Sequence, residues 1–118
     1  NYGYRIDPFT GRTTFHGGID FAGSVGTKVF SVAPGIVTWS GAKNGYGNMV
    51  EISHGDGMST RYAHASRLLV KVGDLISKDQ AIALMGSTGR STGSHLHYEV
   101  LRNGKQVDPA TYIAHAQR

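Results

Sequence analysis

The stretch Gly93-Ser94-His95-Leu96-His97-Tyr98-Glu99-Val100 carries two histidines two residues apart in a segment whose composition favours a β-strand. Because strand side chains alternate between the two faces of a sheet, the pattern predicts that His95 and His97 share one face, about 6.6 Å apart along the chain. Leu96 and Tyr98 then share the opposite face. Two imidazoles in this arrangement can reach one metal ion, or a metal ion and its bound water, although the pair taken alone fits a solvated polar face better.

A second cluster lies upstream, in Phe15-His16-Gly17-Gly18-Ile19-Asp20-Phe21. A glycine pair is unfavourable inside a helix, and a straight strand would hold His16 and Asp20 about 13 Å apart. The two glycines allow the backbone to bend, so that both side chains can converge. Taken alone, these two residues would be interpreted as a solvated histidine beside a turn carboxylate.

A third histidine closes the strand-like segment Met58-Ser59-Thr60-Arg61-Tyr62-Ala63-His64. Regular alternation predicts that Tyr62 and His64 lie on the same face of this strand. His64 can therefore point into a site shared with the other two clusters. A single histidine at a strand end is more often solvated or packed, so His64 supports a site only together with the others.

The length and composition of the chain limit the fold classes that it can adopt. The chain has 118 residues, enough for a modest core, and we expect residues 1–118 to form a single domain. Its 17 glycines exceed the average share of about 7%, and only 17% of its residues are charged, a mixture that favours many short strands and tight turns. The absence of cysteine excludes a disulfide scaffold and a thiolate metal site, which leaves histidine and carboxylate side chains as ligands.

The charge indicates the kind of partner. With 12 Lys and Arg against 8 Asp and Glu, the net charge of +4 favours an anionic partner such as cell wall, a membrane surface or nucleic acid. The basic residues are scattered and do not alternate with aromatic residues, so no nucleic-acid partner is expected. We find no apolar run long enough to span a bilayer and no signal peptide. Since the chain begins at Asn1, we expect a fragment of a longer protein.

Short strands separated by turn residues fill most of the chain. The pattern predicts a hairpin around Pro34-Gly35, a glycine-rich loop over residues 41–47 and a second hairpin around residues 54–57. Residues 79–86 have the apolar composition of a buried strand, and the Asn103-Gly104 pair predicts a third hairpin.

The end of the chain carries the one good helix signal. Asp108 as N-cap and Pro109 at the first helical position predict a short helix over residues 108–113. The Ser, Thr and Gly loop at residues 87–94 matches neither phosphate-binding motif that such loops suggest, and we expect it to deliver the following strand to the site. The predicted fold class is therefore mostly β, a compact antiparallel sheet with long loops and one short C-terminal helix.

Three histidine-bearing segments and one aspartate form a donor set of the kind that zinc enzymes use. A catalytic zinc takes three nitrogen or oxygen ligands from the protein and leaves its fourth position to water. Further histidines can accept a proton from that water or hydrogen-bond the oxyanion that forms. Because a structural zinc site has no use for the extra imidazoles, the set favours hydrolysis.

At these residues the chain resembles a known family. His16-x-x-x-Asp20, Tyr62-Ala63-His64 and His95-Leu96-His97 are similar to the three signatures of the M23 peptidoglycan endopeptidases, the lysostaphin-type zinc metallopeptidases. The resemblance runs from about residue 4 to residue 112, nearly the whole chain. Three separated motifs in the right order argue against a chance match.

The resemblance implies a role for each histidine and for the aspartate. His16, Asp20 and His97 would bind zinc (Zn2+), while His64 and His95 would act on the water and the oxyanion. Spacing alone leaves open which residue of the His95-Leu96-His97 motif is the ligand, and that choice comes from the family. The family also implies a sheet of the M23 and lipoyl-like type.

The implied reaction is hydrolysis of amide bonds in the peptide stems or cross-links of peptidoglycan. The segment from Gly93 to Glu99 is more similar to members from Gram-negative envelopes that cut D-amino-acid cross-links than to those that cut glycine bridges, which implies a D,D-endopeptidase. Such a substrate implies a periplasmic or extracellular location, and we expect a monomer. His54 and His115 match no motif and are expected to be ordinary surface or turn histidines.

Two alternatives stay open. Some members of the family have lost metal ligands and act as non-catalytic activators of other cell-wall hydrolases, whereas this chain keeps the expected set. A lipoyl-like carrier would suit the hairpins around Gly73 and Gly86, but no lysine lies in the required turn and the histidines would be unexplained. Zinc content and release of peptides from isolated cell wall separate the enzyme from the activator, and a mass measurement tests for a lysine-linked cofactor.

Overall fold

The computed structural model of the chain describes residues 5–6, 13–15, 18–86 and 95–107, with side chains over residues 23–86 and 96–107. Within these ranges the chain forms strands only, and no helix suited to crossing a membrane is found there. The strands are β1 (Arg5–Ile6), β2 (Thr13–Phe15), β3 (Gly18–Ala22), β4 (Lys28–Phe30), β5 (Gly35–Lys43), β6 (Gly47–Gly55), β7 (Met58–Leu68), β8 (Leu75–Ile76), β9 (Ala81–Met85), β10 (His95–Arg102) and β11 (Lys105–Val107). The predicted mostly antiparallel β fold is confirmed. The predicted helix at residues 108–113 and the loop at residues 87–94 lie outside the described residues.

The sheet is organised around β7, its longest strand. The strands follow the order β1-β2-β3-β10-β7-β6-β5-β8. In addition, β11 pairs with β10 and β4 pairs with β9. The first part of β7, Met58 to Ala63, pairs with β10, and its last part, Ala65 to Leu68, pairs with β9. Two strands thus follow one another along the same edge of β7, which requires the sheet to curl.

The two faces of the central strands differ in chemistry. On one face Tyr62 of β7 lies directly opposite Tyr98 of β10, with ring centroids 5.5 Å apart, and both side chains are buried. This face forms the core, which contains Val29, Val37, Val50, Ile52, Tyr62, Ala65, Ile76, Ile82, Ala83, Met85, Tyr98 and Val100. On the other face Arg61 lies opposite Glu51 of β6 and Glu99 of β10. The prediction that Leu96 and Tyr98 share the face opposite the site is confirmed, because Tyr98 lies in the core and the partly buried Leu96 packs against it.

The predicted hairpin at Pro34-Gly35 is wrong. β4 pairs with β9, whereas β5 pairs with β6 and β8. The physical reason lies in Ser31, which directly follows β4 and is buried. Its N–H donates to the carbonyl of Gln80, so the chain stays beside the segment before β9 and does not fold back onto β4. Gly35 then packs so closely on β6 that a Cβ would overlap the Ser53 carbonyl oxygen. The Pro-Gly pair therefore marks a crossing between two parts of the sheet.

The segment predicted as a glycine-rich loop is mostly strand. β5 continues to Lys43, and β6 begins at Gly47 directly opposite it. The connection is closed by the Tyr46 N–H, which donates to the Lys43 carbonyl at 2.9 Å. Gly45 and Gly47 have φ values of 84° and 66°, which glycine adopts without a Cβ clash. Gly45 and Gly47 thus allow one tight turn, which places Tyr46 beside His97 and Glu99.

Three other predicted elements are confirmed. Gly55 pairs with Met58 around the turn between β6 and β7. The Asn103-Gly104 turn joins β10 to β11, and both of its residues have positive φ, as a two-residue hairpin turn requires. The buried strand predicted within residues 79–86 is β9, whose central side chains lie in the core.

His54, expected to be an ordinary surface or turn histidine, is partly exposed beside the β6–β7 turn, and its ring also makes two contacts within the fold. Its Nδ1 lies 2.6 Å from the Pro34 carbonyl oxygen and its Nε2 lies 2.7 Å from the Thr60 hydroxyl. That hydroxyl is 2.8 Å from the Tyr62 hydroxyl, which accepts a hydrogen bond from the Val32 N–H at 3.2 Å. The ring thus joins β6, β7 and the segment that follows β4. His115 lies outside the described residues.

Candidate active site

Strand register brings several of the predicted site positions together. His97 of β10 lies directly opposite Asp20 of β3 on one side and opposite Ala63 of β7 on the other. Directly opposite residues of an antiparallel pair have Cα atoms about 4.5–5.5 Å apart. His95 lies two residues before His97 and opposite Ala22. The backbone therefore gathers positions from three strands at one place in the sheet.

His64 reaches this place through a β-bulge in β7. Asn48 of β6 pairs with Ala65 and Val50 pairs with Tyr62, so one residue of β6 opposes two of β7. His64 lies in this bulge with a φ of 64°, a left-handed conformation that costs a non-glycine residue on the order of 1–2 kcal/mol. Its N–H donates to the Tyr46 carbonyl at 2.8 Å, which ties the bulge to the β5–β6 turn.

The bulge overturns the predicted alternation of Tyr62 and His64. Tyr62 faces the core, whereas the His64 ring lies with its centroid 5.9 Å from that of His97. By regular alternation His97 shares its face with Ala63, not with His64, so the extra residue and the positive φ re-aim the His64 side chain. His64 is 6% exposed, so its imidazole is largely removed from bulk water.

The remaining predicted residues are described in part. His16 lies outside the described residues, as do the side chains of Asp20 and His95. β2 and β3 pair antiparallel, with Phe15 opposite Gly18, and the bend predicted at Gly17-Gly18 lies partly outside the described residues. Among the side chains that the structure describes, no group of three or more histidine and carboxylate residues is placed to hold a metal ion. The metal-ligand and catalytic roles of the predicted residues therefore stay predictions.

Sequence reasoning missed Glu99, whose side chain contacts the His97 ring. Glu99 is buried, and its Oε2 accepts a hydrogen bond from His97 Nε2 at 2.9 Å. Its Oε1 accepts from the Tyr46 hydroxyl at 3.1 Å, and the Arg61 guanidinium donates to that same hydroxyl at 3.1 Å. A signal was present in the sequence, because a carboxylate two residues after a histidine in a strand lies on the same face.

These contacts set the electrostatics beside His97. Burial and the adjacent Glu99 carboxylate raise the pKa of Tyr46, so its hydroxyl keeps the proton that it donates to Glu99. Burial alone would lower the pKa of Arg61, but its hydrogen bond and ion pair with Glu51, at 2.6 Å, raise it. The network therefore holds one cation between two carboxylates, with a neutral phenol linking it to Glu99.

Glu51 predicts a pH dependence of stability. Burial alone would raise the pKa of Glu51, but hydrogen bonds from Arg61 and Thr38 and the charge of Arg61 outweigh it, so this pKa is lowered. A lowered folded-state pKa means that the ionised form stabilises the fold above the ordinary value of 4.5, and that this contribution is lost as the pH falls through the folded-state value. We expect Glu51→Gln to lower the free energy of unfolding at pH 7 by about 1–2 kcal/mol, and less as the pH falls below 4.5.

Urea denaturation of both proteins between pH 3 and pH 8 measures this difference. Asp56→Asn, which removes the same charge from an exposed turn, is the matched control and should leave the free energy of unfolding within about 0.5 kcal/mol. A difference for Glu51→Gln that stays constant across the pH range would show that the carboxylate charge is not what stabilises the fold.

The types of side chain at this place are compatible with a zinc ion. Imidazole nitrogen and carboxylate oxygen are zinc donors, and the register puts Asp20 beside His97. The Glu99 contact engages Nε2 of His97, so Nδ1 is the nitrogen that a metal would take. With His64 beside it, the arrangement suits metal-assisted hydrolysis with an imidazole near the reacting water.

Comparison with known proteins identifies the family of the chain. A sequence model of peptidase family M23 matches residues 14–109. The chain belongs to this family. The resemblance to this family drawn from the three histidine motifs is confirmed.

Relatives and solved structures resemble the M23 domain over most of its length. It is 44% identical over 110 residues to the DD-carboxypeptidase/endopeptidase Mpg of Neisseria meningitidis, covering 93% of this chain and 25% of that protein. A zinc-containing peptidase from Vibrio cholerae has 42% identity and a TM-score of 0.77, covering 92% of this chain and 34% of that one. The catalytic domain of lysostaphin from Staphylococcus simulans has 34% identity and a TM-score of 0.80, covering 97% and 90%.

The curated relatives are much longer than this chain. The M23 domain spans about a quarter of the length of the curated relatives it matches. The shared part includes the described strands that carry Asp20, His64, His97 and Glu99. Family and fold are thus established for this chain, and its substrate follows as a proposal.

Proposed function

We propose that the chain is the catalytic domain of a zinc-dependent D,D-endopeptidase that hydrolyses amide bonds in the peptide stems or cross-links of peptidoglycan. The observation that carries the proposal is the placement of the His64 ring 5.9 Å from that of His97, with Asp20 at the register position opposite His97. A strained backbone conformation at His64 brings the two rings together, which a purely structural histidine would not require.

Each residue has a proposed role. His16, Asp20 and His97 hold the metal. When bound, zinc supplies a Lewis acid and a water whose pKa falls to about 7. His64 accepts a proton from the attacking water at an imidazole nitrogen and delivers it to the departing amine. His95 donates a hydrogen bond toward the carbonyl oxygen as its negative charge develops.

Similarity supports the choice of substrate. Mpg, which carries the name DD-carboxypeptidase/endopeptidase, is 44% identical to this chain, whereas the lysostaphin catalytic domain is 34% identical. The net charge of +4 favours association with an anionic cell wall. Residues 1–118 act in this proposal as one monomeric domain, in the periplasm or outside the cell, where peptidoglycan is found.

A defined cross-linked muropeptide dimer tests the proposal. The purified protein should bind about one equivalent of zinc, measured by elemental analysis, and should convert the dimer to monomers, identified by mass spectrometry. Removal of the metal with a chelator should stop the reaction, and added zinc should restore it. Release of only a terminal D-amino acid would show a carboxypeptidase, and cleavage confined to glycine-bridged dimers would overturn the D,D assignment. Absence of both zinc and products would support the alternative, a non-catalytic activator of other cell-wall hydrolases.

A further inference from the structure

We infer that Glu99 is a positioning residue for His97: its carboxylate fixes the orientation of the imidazole and keeps the proton on Nε2. This inference rests on the proposed function, because it assigns Glu99 to the same metal site. Nothing in the three histidine motifs requires an acidic residue at this position. The geometry of the buried side chain points to it.

The contact itself is short and directed. Glu99 Oε2 lies 2.9 Å from His97 Nε2, and the Glu99 side chain is 6% exposed. A carboxylate only accepts hydrogen bonds, so Nε2 must be the donor and must carry the proton. In a neutral imidazole the other nitrogen then has the lone pair that a metal requires. Ligating histidines in metal sites almost always donate their second ring nitrogen to such an acceptor.

The carboxylate is itself held in place. Its second oxygen, Oε1, accepts from the Tyr46 hydroxyl at 3.1 Å, and the Arg61 guanidinium lies 3.7 Å from the same oxygen. Both oxygens are therefore engaged, and the carboxylate cannot rotate without losing a contact in a buried environment. Tyr46 also contacts the His97 ring, with centroids 6.4 Å apart. Two further side chains thus restrain Glu99 through the oxygen that does not contact His97.

A purely structural role for Glu99 as a partner of Arg61 is the alternative. The distances oppose it, because Arg61 lies 3.7 Å from Glu99 but only 2.6 Å from Glu51. Arg61 thus has a closer carboxylate partner, whereas the closest polar contact of Glu99 is His97. Glu51 also provides a matched control, since it belongs to the same network and does not touch His97.

The test compares Glu99→Ala, Glu99→Gln and Glu51→Gln in the full protein. Zinc affinity is measured by competition with a coloured chelator, and the Nε2–H signal of His97 is followed in proton–nitrogen NMR spectra with and without metal. We expect Glu99→Ala to weaken zinc binding 10- to 100-fold and to lose the exchange-protected Nε2–H signal. Glu99→Gln, whose amide oxygen can still accept this hydrogen bond, should retain the signal and lose less affinity. Glu51→Gln should bind zinc within about twofold of the unchanged protein.

Two outcomes overturn the inference. One is unchanged zinc affinity in Glu99→Ala together with a retained Nε2–H signal. The other is a loss of affinity in Glu51→Gln as large as that in Glu99→Ala, which would indicate a general loss of structure. If Glu99→Ala does not fold, the shape-conserving Glu99→Gln decides, because a lost signal in that folded variant contradicts the proposed acceptor role. Failure of the unchanged protein to bind zinc would overturn the proposed function, while the Nε2–H signal of the metal-free proteins would still decide the role of Glu99.

Discussion

His97→Ala is expected to abolish both zinc binding and hydrolysis of the muropeptide dimer. His97 occupies the position at which β3, β7 and β10 meet, opposite Asp20 and beside His64. Loss of one of three proposed protein ligands removes the metal, and with it the Lewis acid and the activated water. Elemental analysis of the dialysed protein and mass spectrometry of the reaction products measure the two losses separately.

His64→Ala is the matched comparison, and it should behave differently. The variant should keep its zinc and lose about 10²- to 10⁴-fold in kcat, because it removes a proposed proton-transfer group and no metal ligand. Alanine retains a Cβ, so the backbone cost of the positive φ at this position stays nearly the same and the bulge should persist. Equal loss of zinc from both variants would show that the assigned roles are wrong.

Tyr62→Ala is expected to cost about 3–5 kcal/mol of the free energy of unfolding. Tyr62 is 1% exposed, its ring packs against Tyr98, and its hydroxyl contacts Thr60 and the Val32 N–H. Truncation therefore leaves a large cavity between β7 and β10 and removes the partner of a backbone donor. Since small domains have a total stability of only about 5–15 kcal/mol, the transition should shift strongly in a urea titration.

Two controls separate the parts of this effect. Tyr62→Phe keeps the ring and removes the hydroxyl, and it should cost about 1–3 kcal/mol because the buried Val32 N–H loses its partner. Phe30→Ala removes an aromatic ring that is 50% exposed and should cost only about 1 kcal/mol. If Tyr62→Ala proved no more costly than Phe30→Ala, the ring would not be part of a packed core.

The sequence predicted correctly those turns and strands that depend on the properties of neighbouring residues. The Asn103-Gly104 pair predicted its hairpin, since both turn residues need positive φ. The apolar run around Ile82 predicted a buried strand, and alternation in β10 separated Tyr98 in the core from His97 on the site face. In each case the chemistry of neighbouring residues was sufficient.

Prediction failed where distant segments decide the conformation. Pro34-Gly35 has the composition of a turn, but the backbone hydrogen bond from Ser31 to Gln80 helps to direct the chain from one part of the sheet to another. His54 carries no motif, and its contacts with Pro34 and Thr60 likewise come from other parts of the fold. No pattern within one segment contains these partners.

For this protein the sequence alone determined the family, through the three histidine motifs, and its lack of cysteine left histidine and carboxylate side chains as the candidate metal donors. Only the tertiary structure decided how His64 reaches His97 and which side chain supports His97. The bulge arises where β7 pairs with β6, and the Glu99 contact depends on Tyr46 from the β5–β6 turn and on Arg61 from β7. Strand periodicity is a local property, whereas the register that interrupts it is set by contacts between strands that are remote in sequence.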